Sequence, residues 1–190
     1  MSEWNRKRRV MRRYDQSAKV YDSQYFDEQE AKIRIAISNL TILRNSMVLD
    51  AGCGTGLLFE HVVRKARLII GADISRGILR EAKRKTKALG NLALVLADAD
   101  NMPFYDQIFD VVFAITLLQN MPNPLATINE VKRISKSNGT IVATGLKKAF
   151  TKEEFVEVLK QAYLKVEILK PDEHMREYIT VCTQIPANHH

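Results

Sequence analysis

Cysteine, tryptophan, proline and histidine are scarce in this chain of 190 residues, with two, one, five and four copies. Cys53 and Cys182 stand far apart in apolar settings, so no disulfide framework is expected. Both read as reduced thiols of a cytoplasmic protein. The histidines lack the Cys/His spacing of a metal site, so no metal is expected, and the terminal His189 and His190 are given no role. No run approaches ~18 consecutive apolar residues, which argues against a membrane span. The basic N-terminus also lacks the apolar stretch of a secretion signal. Internal repeats, linkers and low-complexity tracts are absent as well. What remains is an ordinary globular composition, 46% hydrophobic, with enough interior for one core. One domain over residues 1–190 is expected, with a basic arm and helix at 1–44 and a core at 45–185.

Acid is in deficit: 22 Asp and Glu face 29 Lys and Arg, a net charge of +7. Such a field attracts polyanions and says nothing about fold. Much of the excess lies in residues 5–13, Asn-Arg-Lys-Arg-Arg-Val-Met-Arg-Arg, and in Arg76, Arg80, Lys83, Arg84, Lys85 and Lys87. The second group reads as a solvated helix face.

The most informative stretch is Val48-Leu-Asp-Ala-Gly-Cys-Gly-Thr-Gly-Leu-Leu58. A short apolar run ends in Asp50, and Gly52, Gly54 and Gly56 follow at alternate positions before an apolar-periodic segment. Strand, glycine elbow and helix in this order hold a nucleoside-like cofactor in an open α/β sheet. A dinucleotide fingerprint would need Gly or Ala at position 57, which is Leu, although Asp73 lies near the spacing of a dinucleotide-binding acid. The Gly-Lys-Ser/Thr of a P-loop is missing. Acids recur at strand ends: Asp50, then Asp73 after Leu68–Ala72, then Asp98 after Leu92–Ala97. In a parallel sheet these ends share one rim. Three carboxylates there would repel a pyrophosphate and suit an ammonium, a ribose and an adenine amine.

Periodicity places a helix over 28–44, with Ile33, Ala36, Ile37, Leu40 and Leu43 on one face. Strands at 47–50, 67–72, 92–97, 109–115 and 140–145 alternate with helices at 56–65, 75–89 (ended by Gly90), from about 123, and 151–163. Thr151 and Glu154 form a capping box at the last of these. Asn138-Gly139 reads as a turn, and strands 165–169 and 177–183 close the chain around a turn at Pro171-Asp172. The alternation implies a doubly wound α/β sheet, mostly parallel, with a final antiparallel hairpin.

The stretch 48–56, with Gly-Ala-Asp-Ile-Ser at 71–75 and Ala-Asp-Ala-Asp-Asn-Met-Pro-Phe at 97–104, resembles the class I S-adenosylmethionine-dependent methyltransferases over roughly residues 10–185. The resemblance implies a Rossmann-like, seven-stranded sheet of order 3-2-1-4-5-7-6 with helices on both faces and an N-terminal helical segment. It implies S-adenosyl-L-methionine as cofactor. The elbow (Asp50, Gly52, Cys53, Gly54, Gly56) would carry the methionine part, Asp73 with Ile74 the ribose, and Asp98 with the Ala99 N–H the adenine. Tyr14, Tyr21 or Tyr25 would fold over the cofactor, and of these Tyr21 is taken as a cofactor residue.

Methyl transfer from a sulfonium is an in-line displacement, so alignment and water exclusion matter more than a strong base. The loop after the fourth strand, Thr116-Leu-Leu-Gln-Asn-Met-Pro-Asn-Pro124, would face the methyl group. Thr116, Gln119 and Asn120 are the candidate catalytic residues, Thr116 also touching the cofactor. Asn120-Met121-Pro122 loosely resembles the Asn-Pro-Pro-aromatic loop of nucleic-acid amino-methyltransferases; Thr116-Leu117 equally resembles the small-molecule branch. Asn123 and Asn120 could simply cap the next helix. Lys147, Lys148, Asp172, Glu173 and His174 are further rim candidates.

Charge then arbitrates. Arg6, Lys7, Arg8, Arg9, Arg12 and Arg13 would contact phosphates, and Trp4 and Tyr14 would stack on unpaired bases. The resulting expectation is a cytoplasmic enzyme of RNA modification that methylates a base in ribosomal or transfer RNA, with an exocyclic amine such as cytidine N4 as one target. A small partner protein would assist, and no membrane would be involved. A small-molecule methyltransferase and a non-catalytic cofactor-binding subunit are the alternatives.

Overall fold

The structure, a computed structural model, describes residues 2–18, 21–169 and 175–186, and of residues 21–24 the backbone only. The expected turn at Pro171-Asp172, the rim candidates Asp172, Glu173 and His174, the terminal His189 and His190, and the side chain of Tyr21 lie outside the described residues.

Seven strands form one sheet: β1 (Met47–Ala51), β2 (Leu68–Asp73), β3 (Leu92–Leu96), β4 (Phe109–Ala114), β5 (Ser135–Leu146), β6 (Leu164–Leu169) and β7 (Glu177–Gln184). Their order is β3-β2-β1-β4-β5-β7-β6, as the resemblance implied. The five strands from β3 to β5 pair in parallel, and β7 runs antiparallel to both neighbours. Helices α2 (Tyr21–Ser38), α3 (Phe59–Val62), α4 (Arg76–Lys85), α5 (Pro124–Ile134) and α6 (Lys152–Gln161) surround the sheet, and α1 (Glu3–Ser17) precedes them.

Strand side chains alternate between faces, and the core divides accordingly. Leu49, Val112, Ile141 and Ala143 pack with Ile128 and Val131 of α5 and Phe155 and Leu159 of α6. Val48, Ile69, Val111 and Val142 face the other way, against Ile33 and Ala36 of α2 and Phe59 and Val62 of α3.

Local chemistry sets the helix ends. Asn123 accepts from Ala126 N at 3.2 Å with Pro124 in the first turn, so Asn123 is a helix cap. The Thr151–Glu154 capping box is formed. Several expected boundaries move. The helix expected from 56 begins at 59, because Gly56 has φ +85°, outside the helical region. The second crossover helix ends at Lys85, where Thr86 turns back to bond Ala82 O through its hydroxyl, four residues before Gly90. The helix expected over 28–44 runs 21–38 and ends where Ser38 and Asn39 both bond Ile35 O. Asn138-Gly139 is not a turn between elements. It lies inside β5, where pairing jumps from Phe109↔Ser135 to Val111↔Thr140, an irregular bulge.

A cleft beneath the first helix

At the carboxyl ends of β1, β2 and β4 a cleft opens, lined by Asp50, Gly52, Cys53, Gly54, Asp73, Ile74, Asp98, Ala99, Thr116 and Asn120. All but two of the expected site residues with described side chains therefore converge. The exceptions are Gly56 and Gln119. Gly56 is a packing glycine, since a Cβ there would stand 2.6 Å from the Phe59 ring. Gly54 is the contrary case: φ is +55° and a Cβ there would meet nothing within 4 Å, so its bareness faces open space.

The acids are held differently. Asp73 accepts from Gly54 N (3.0 Å) and Ser75 N (2.9 Å), pinning the elbow to β2. Burial nevertheless lifts its pKa above the ordinary carboxylate value, against the pull of those N–H groups. Asp50 is 4% exposed and its carboxylate makes no hydrogen bond among the described residues. Burial, and then the nearby Asp73 charge, push its pKa from 3.8 up to about 8. A buried carboxylate without a cation is what an ammonium group would complete. The Cys53 thiol is pushed well up by burial, so it is unreactive in the cleft wall.

The basic arm is a helix, and it roofs this cleft. Ser2 caps α1, and Lys7, Val10 and Tyr14 line the cleft from above. Lys7 Nζ lies 2.8 and 2.7 Å from the two Asp98 oxygens and 2.5 Å from Asp100 Oδ2. Burial pulls the lysine down, but the hydrogen bonds to Asp100 and Asp98 outweigh it, so its pKa ends above the usual value. Asp100 in turn receives the Thr127 hydroxyl. Further along, Arg13 donates to Asn120 Oδ1 (2.8 Å) and Asn120 Nδ2 donates to Tyr14 (3.2 Å) and to Thr116 O (2.8 Å). Asp15 accepts from Ser75 Oγ (2.5 Å) and Gly77 N (2.8 Å) at the start of α4. Within α1 only Lys7 is buried, so polar contacts rather than apolar burial hold the roof down.

Three expectations are corrected by this geometry. Lys7 does not face phosphates, because it is consumed by Asp98 and Asp100 under the helix; the outward residues are Arg6, Arg8, Arg9 and Arg12, while Arg13, though exposed, is engaged by Asn120. Tyr14 is not an exposed stacking platform either, since it points into the cleft, where burial raises its pKa. Trp4 is exposed. Asn120 is no helix cap, because its side chain ties the roof to the loop after β4. Lys147, Lys148 and the basic face of α4 are solvated.

One group escaped the sequence reading. Lys32 of α2 is fully buried, 2.9 Å from Glu177 Oε1, 3.0 Å from Thr116 Oγ1 and 3.3 Å from Glu28 Oε1. Gln29 exchanges hydrogen bonds with Thr116 Oγ1 at 3.1 and 3.2 Å, and Gln119 Nε2 lies 3.4 Å from Glu177 Oε1. Thr116 itself has φ +58°. A β-branched residue in that region costs about 1–2 kcal/mol. The Thr116 N–H is anchored on Thr144 Oγ1 at 2.8 Å. Two signals were present in the sequence. Lys32 and Ala36 stand one turn apart on the helix that buries Ile33 and Ala36, and Glu177 shares a strand face with Ile179 and Val181.

Among the described residues no His, Cys, Asp and Glu cluster suits a metal, and no helix is long and apolar enough to cross a membrane. Residues 49–143, half of the chain, match the methyltransferase domain family. The chain is 33% identical over 141 residues to a demethylmenaquinone methyltransferase of Staphylococcus saprophyticus, covering 73% of this chain and 58% of that one. It is 31% identical over 144 residues to a malonyl-[acyl-carrier protein] O-methyltransferase of Marinomonas, covering 74% and 52%. The chain thus spans between half and three fifths of the length of these relatives. In fold it is similar to a chain of the complex between the Haloferax volcanii Trm112 methyltransferase activator and a methyltransferase candidate, with TM-score 0.85, 18% identity, and coverage of 95% of this chain and 100% of that one. With the strand order, the glycine elbow and the three strand-end acids in one cleft, these matches place the chain in the class I S-adenosylmethionine-dependent methyltransferase family, which has a Rossmann-like fold and S-adenosylmethionine as its cofactor.

Proposed function

We propose that this chain transfers the methyl group of S-adenosylmethionine to an acceptor entering the cleft beside Thr116. The observation that carries the reading is the convergence of Asp50, Asp73 and Asp98, from three different strand ends, around the bare backbone of Gly52 and Gly54. Asp50, buried without a hydrogen-bond partner among the described residues, suits the amino-acid ammonium. Asp73 suits the ribose hydroxyls, and Asp98 with the Ala99 N–H suits the adenine. The cofactor supplies a methyl carbon on a positive sulfur. The chain's own residues position the acceptor at Thr116 and keep water out beneath α1.

The roofed cleft, and the acceptors named for the curated relatives, favour a small-molecule acceptor. A second reading rests on α1, whose exposed Arg6, Arg8, Arg9 and Arg12 run along the roof and would contact the phosphates of ribosomal or transfer RNA. A third, a cofactor-binding subunit without catalysis, is favoured by the intrusion of Lys7 upon Asp98. The Haloferax chain was solved in complex with a methyltransferase activator, and work alongside a partner protein is part of the same reading.

Tritiated methyl transfer from S-adenosylmethionine, into a metabolite extract and into RNA fractions, tests these readings together. Label in the metabolite fraction supports the first. Label in RNA that is lost in an Arg8→Ala/Arg9→Ala/Arg12→Ala variant supports the second. Cofactor binding with no label in either supports the third.

A further inference from the structure

Among the described residues, two buried polar atoms behind the cleft wall have no hydrogen-bond partner: Glu177 Oε2 and Gln119 Oε1. Both are acceptors. The amide orientation of Gln119 is fixed, because its Nε2 donates toward Glu177 Oε1 at 3.4 Å and the reverse orientation would set oxygen against oxygen. Buried acceptors of this kind are rare and call for a ligand or a bound water. The charges around them are balanced, with Lys32 on Glu177 and Glu28, and Arg176 3.8 Å from Glu28. The missing group is therefore a neutral hydrogen-bond donor rather than a cation.

Three further features converge here. The Lys32–Glu177 pair is buried at 0% and 1% side-chain exposure, and such a pair is weak evidence for stability because an apolar pair would pack as well. Thr116 accepts an unfavourable backbone conformation that aims its hydroxyl at this pair. Gln29 and Thr116 form the boundary, since both line the cleft and bond each other, while Lys32, Glu177 and Gln119 stand behind them.

We propose that Thr116, Gln29, Gln119 and Glu177 form the acceptor subsite, and that it takes a neutral amine whose reacting nitrogen carries two N–H bonds. With those hydrogens on Glu177 Oε2 and Gln119 Oε1, the lone pair of the nitrogen is left to face the cleft, where the methyl donor would sit. The C–N bond forms as the C–S bond breaks, and the sulfur leaves as a neutral thioether. The methylated ammonium gives one proton to the Glu177 carboxylate, which passes it to solvent. Lys32 is a positioning residue that holds the Glu177 carboxylate. This inference rests on the methyltransferase reading and narrows its acceptor to nitrogen.

The test pairs product chemistry with an apolar replacement. Wild-type protein and a Lys32→Met/Glu177→Leu variant are given tritiated S-adenosylmethionine with metabolite and RNA fractions, and the methylated product is identified by mass spectrometry. Expected results are a methyl group on nitrogen, cofactor affinity by calorimetry within twofold of wild type, and incorporation reduced at least 100-fold. A methyl group on oxygen or carbon, or a folded double variant with wild-type incorporation, overturns the proposal. If the double variant fails to fold, Gln119→Leu decides. It should raise the acceptor's half-saturating concentration at least tenfold with cofactor affinity unchanged, and an unaltered value overturns the proposal. Failure of the wild type to bind S-adenosylmethionine would instead remove the methyltransferase reading itself.

Discussion

The Lys7 ammonium holds both oxygens of Asp98, at 2.8 and 2.7 Å, although the two residues lie 91 positions apart. A side chain from the roof thereby occupies the carboxylate expected to face an adenine amine. On the proposed placement of the adenine, Lys7 and the cofactor would compete for Asp98, and the cationic cofactor would also gain from losing a nearby positive charge. Lys7→Met should tighten S-adenosylmethionine binding about tenfold, roughly 1.4 kcal/mol, while lowering the melting temperature of the free protein. Calorimetry decides the matter. Weaker binding in the variant would mean that the lysine belongs to the bound state.

Asp50 offers a pH test. Its pKa in the folded chain is raised from 3.8 to about 8. The folded protein therefore keeps a proton that the unfolded chain releases. The associated stability is complete below pH 3.8, declines as pH rises, and is gone above about 8. Asp50→Asn escapes this loss. Its advantage over wild type in urea unfolding should grow by up to about 1.4 kcal/mol per pH unit between about pH 6 and 8. Cofactor affinity should fall in the same variant, because the ammonium loses its carboxylate. A pH-independent stability difference would refute the assignment.

The elbow glycines should separate stability from binding. Gly56→Ala places a methyl group 2.6 Å from the Phe59 ring at φ +85°, so the loss should appear as about 2–4 kcal/mol of stability. Gly54→Ala meets no neighbour at φ +55°. It should cost only about 1–2 kcal/mol of stability but weaken cofactor binding markedly, since the new methyl enters the cleft. Urea unfolding and calorimetry on both variants read the contrast. Equal effects on the two properties would contradict it.

Asp73→Ala removes the acceptor for Gly54 N and Ser75 N together with the expected ribose contact. Cofactor affinity should drop by about 10–100-fold, or about 1.4–2.7 kcal/mol. Unchanged affinity by calorimetry would strip Asp73 of this role.

Much of the architecture was legible because it is written locally. Short apolar runs, helical spacing, a capping box and glycines at 52, 54 and 56 are set by neighbours in the chain, and the strand-end acids follow once the strands are placed. Boundaries slipped both where a long-range contact won and where one residue's own backbone conformation or local hydrogen bond ended or delayed an element. The bulge that absorbs Asn138-Gly139 is set by pairing with β4, and Gly56 delays α3 through its backbone conformation.

Sequence alone determined the strands, the elbow and the three acids, because backbone propensity and side-chain alternation act over a few residues; the order of the strands in the sheet came from the family resemblance. Only the tertiary structure decided the rest. It turned a basic segment into a roof with Lys7 beneath it, since two carboxylates outweigh the solvation of one lysine. It also brought Lys32 to Glu177, 145 positions away, beside a Thr116 held in a costly conformation. Burial made those pairings strong enough to matter, and no local pattern records which distant partner a buried charge will find.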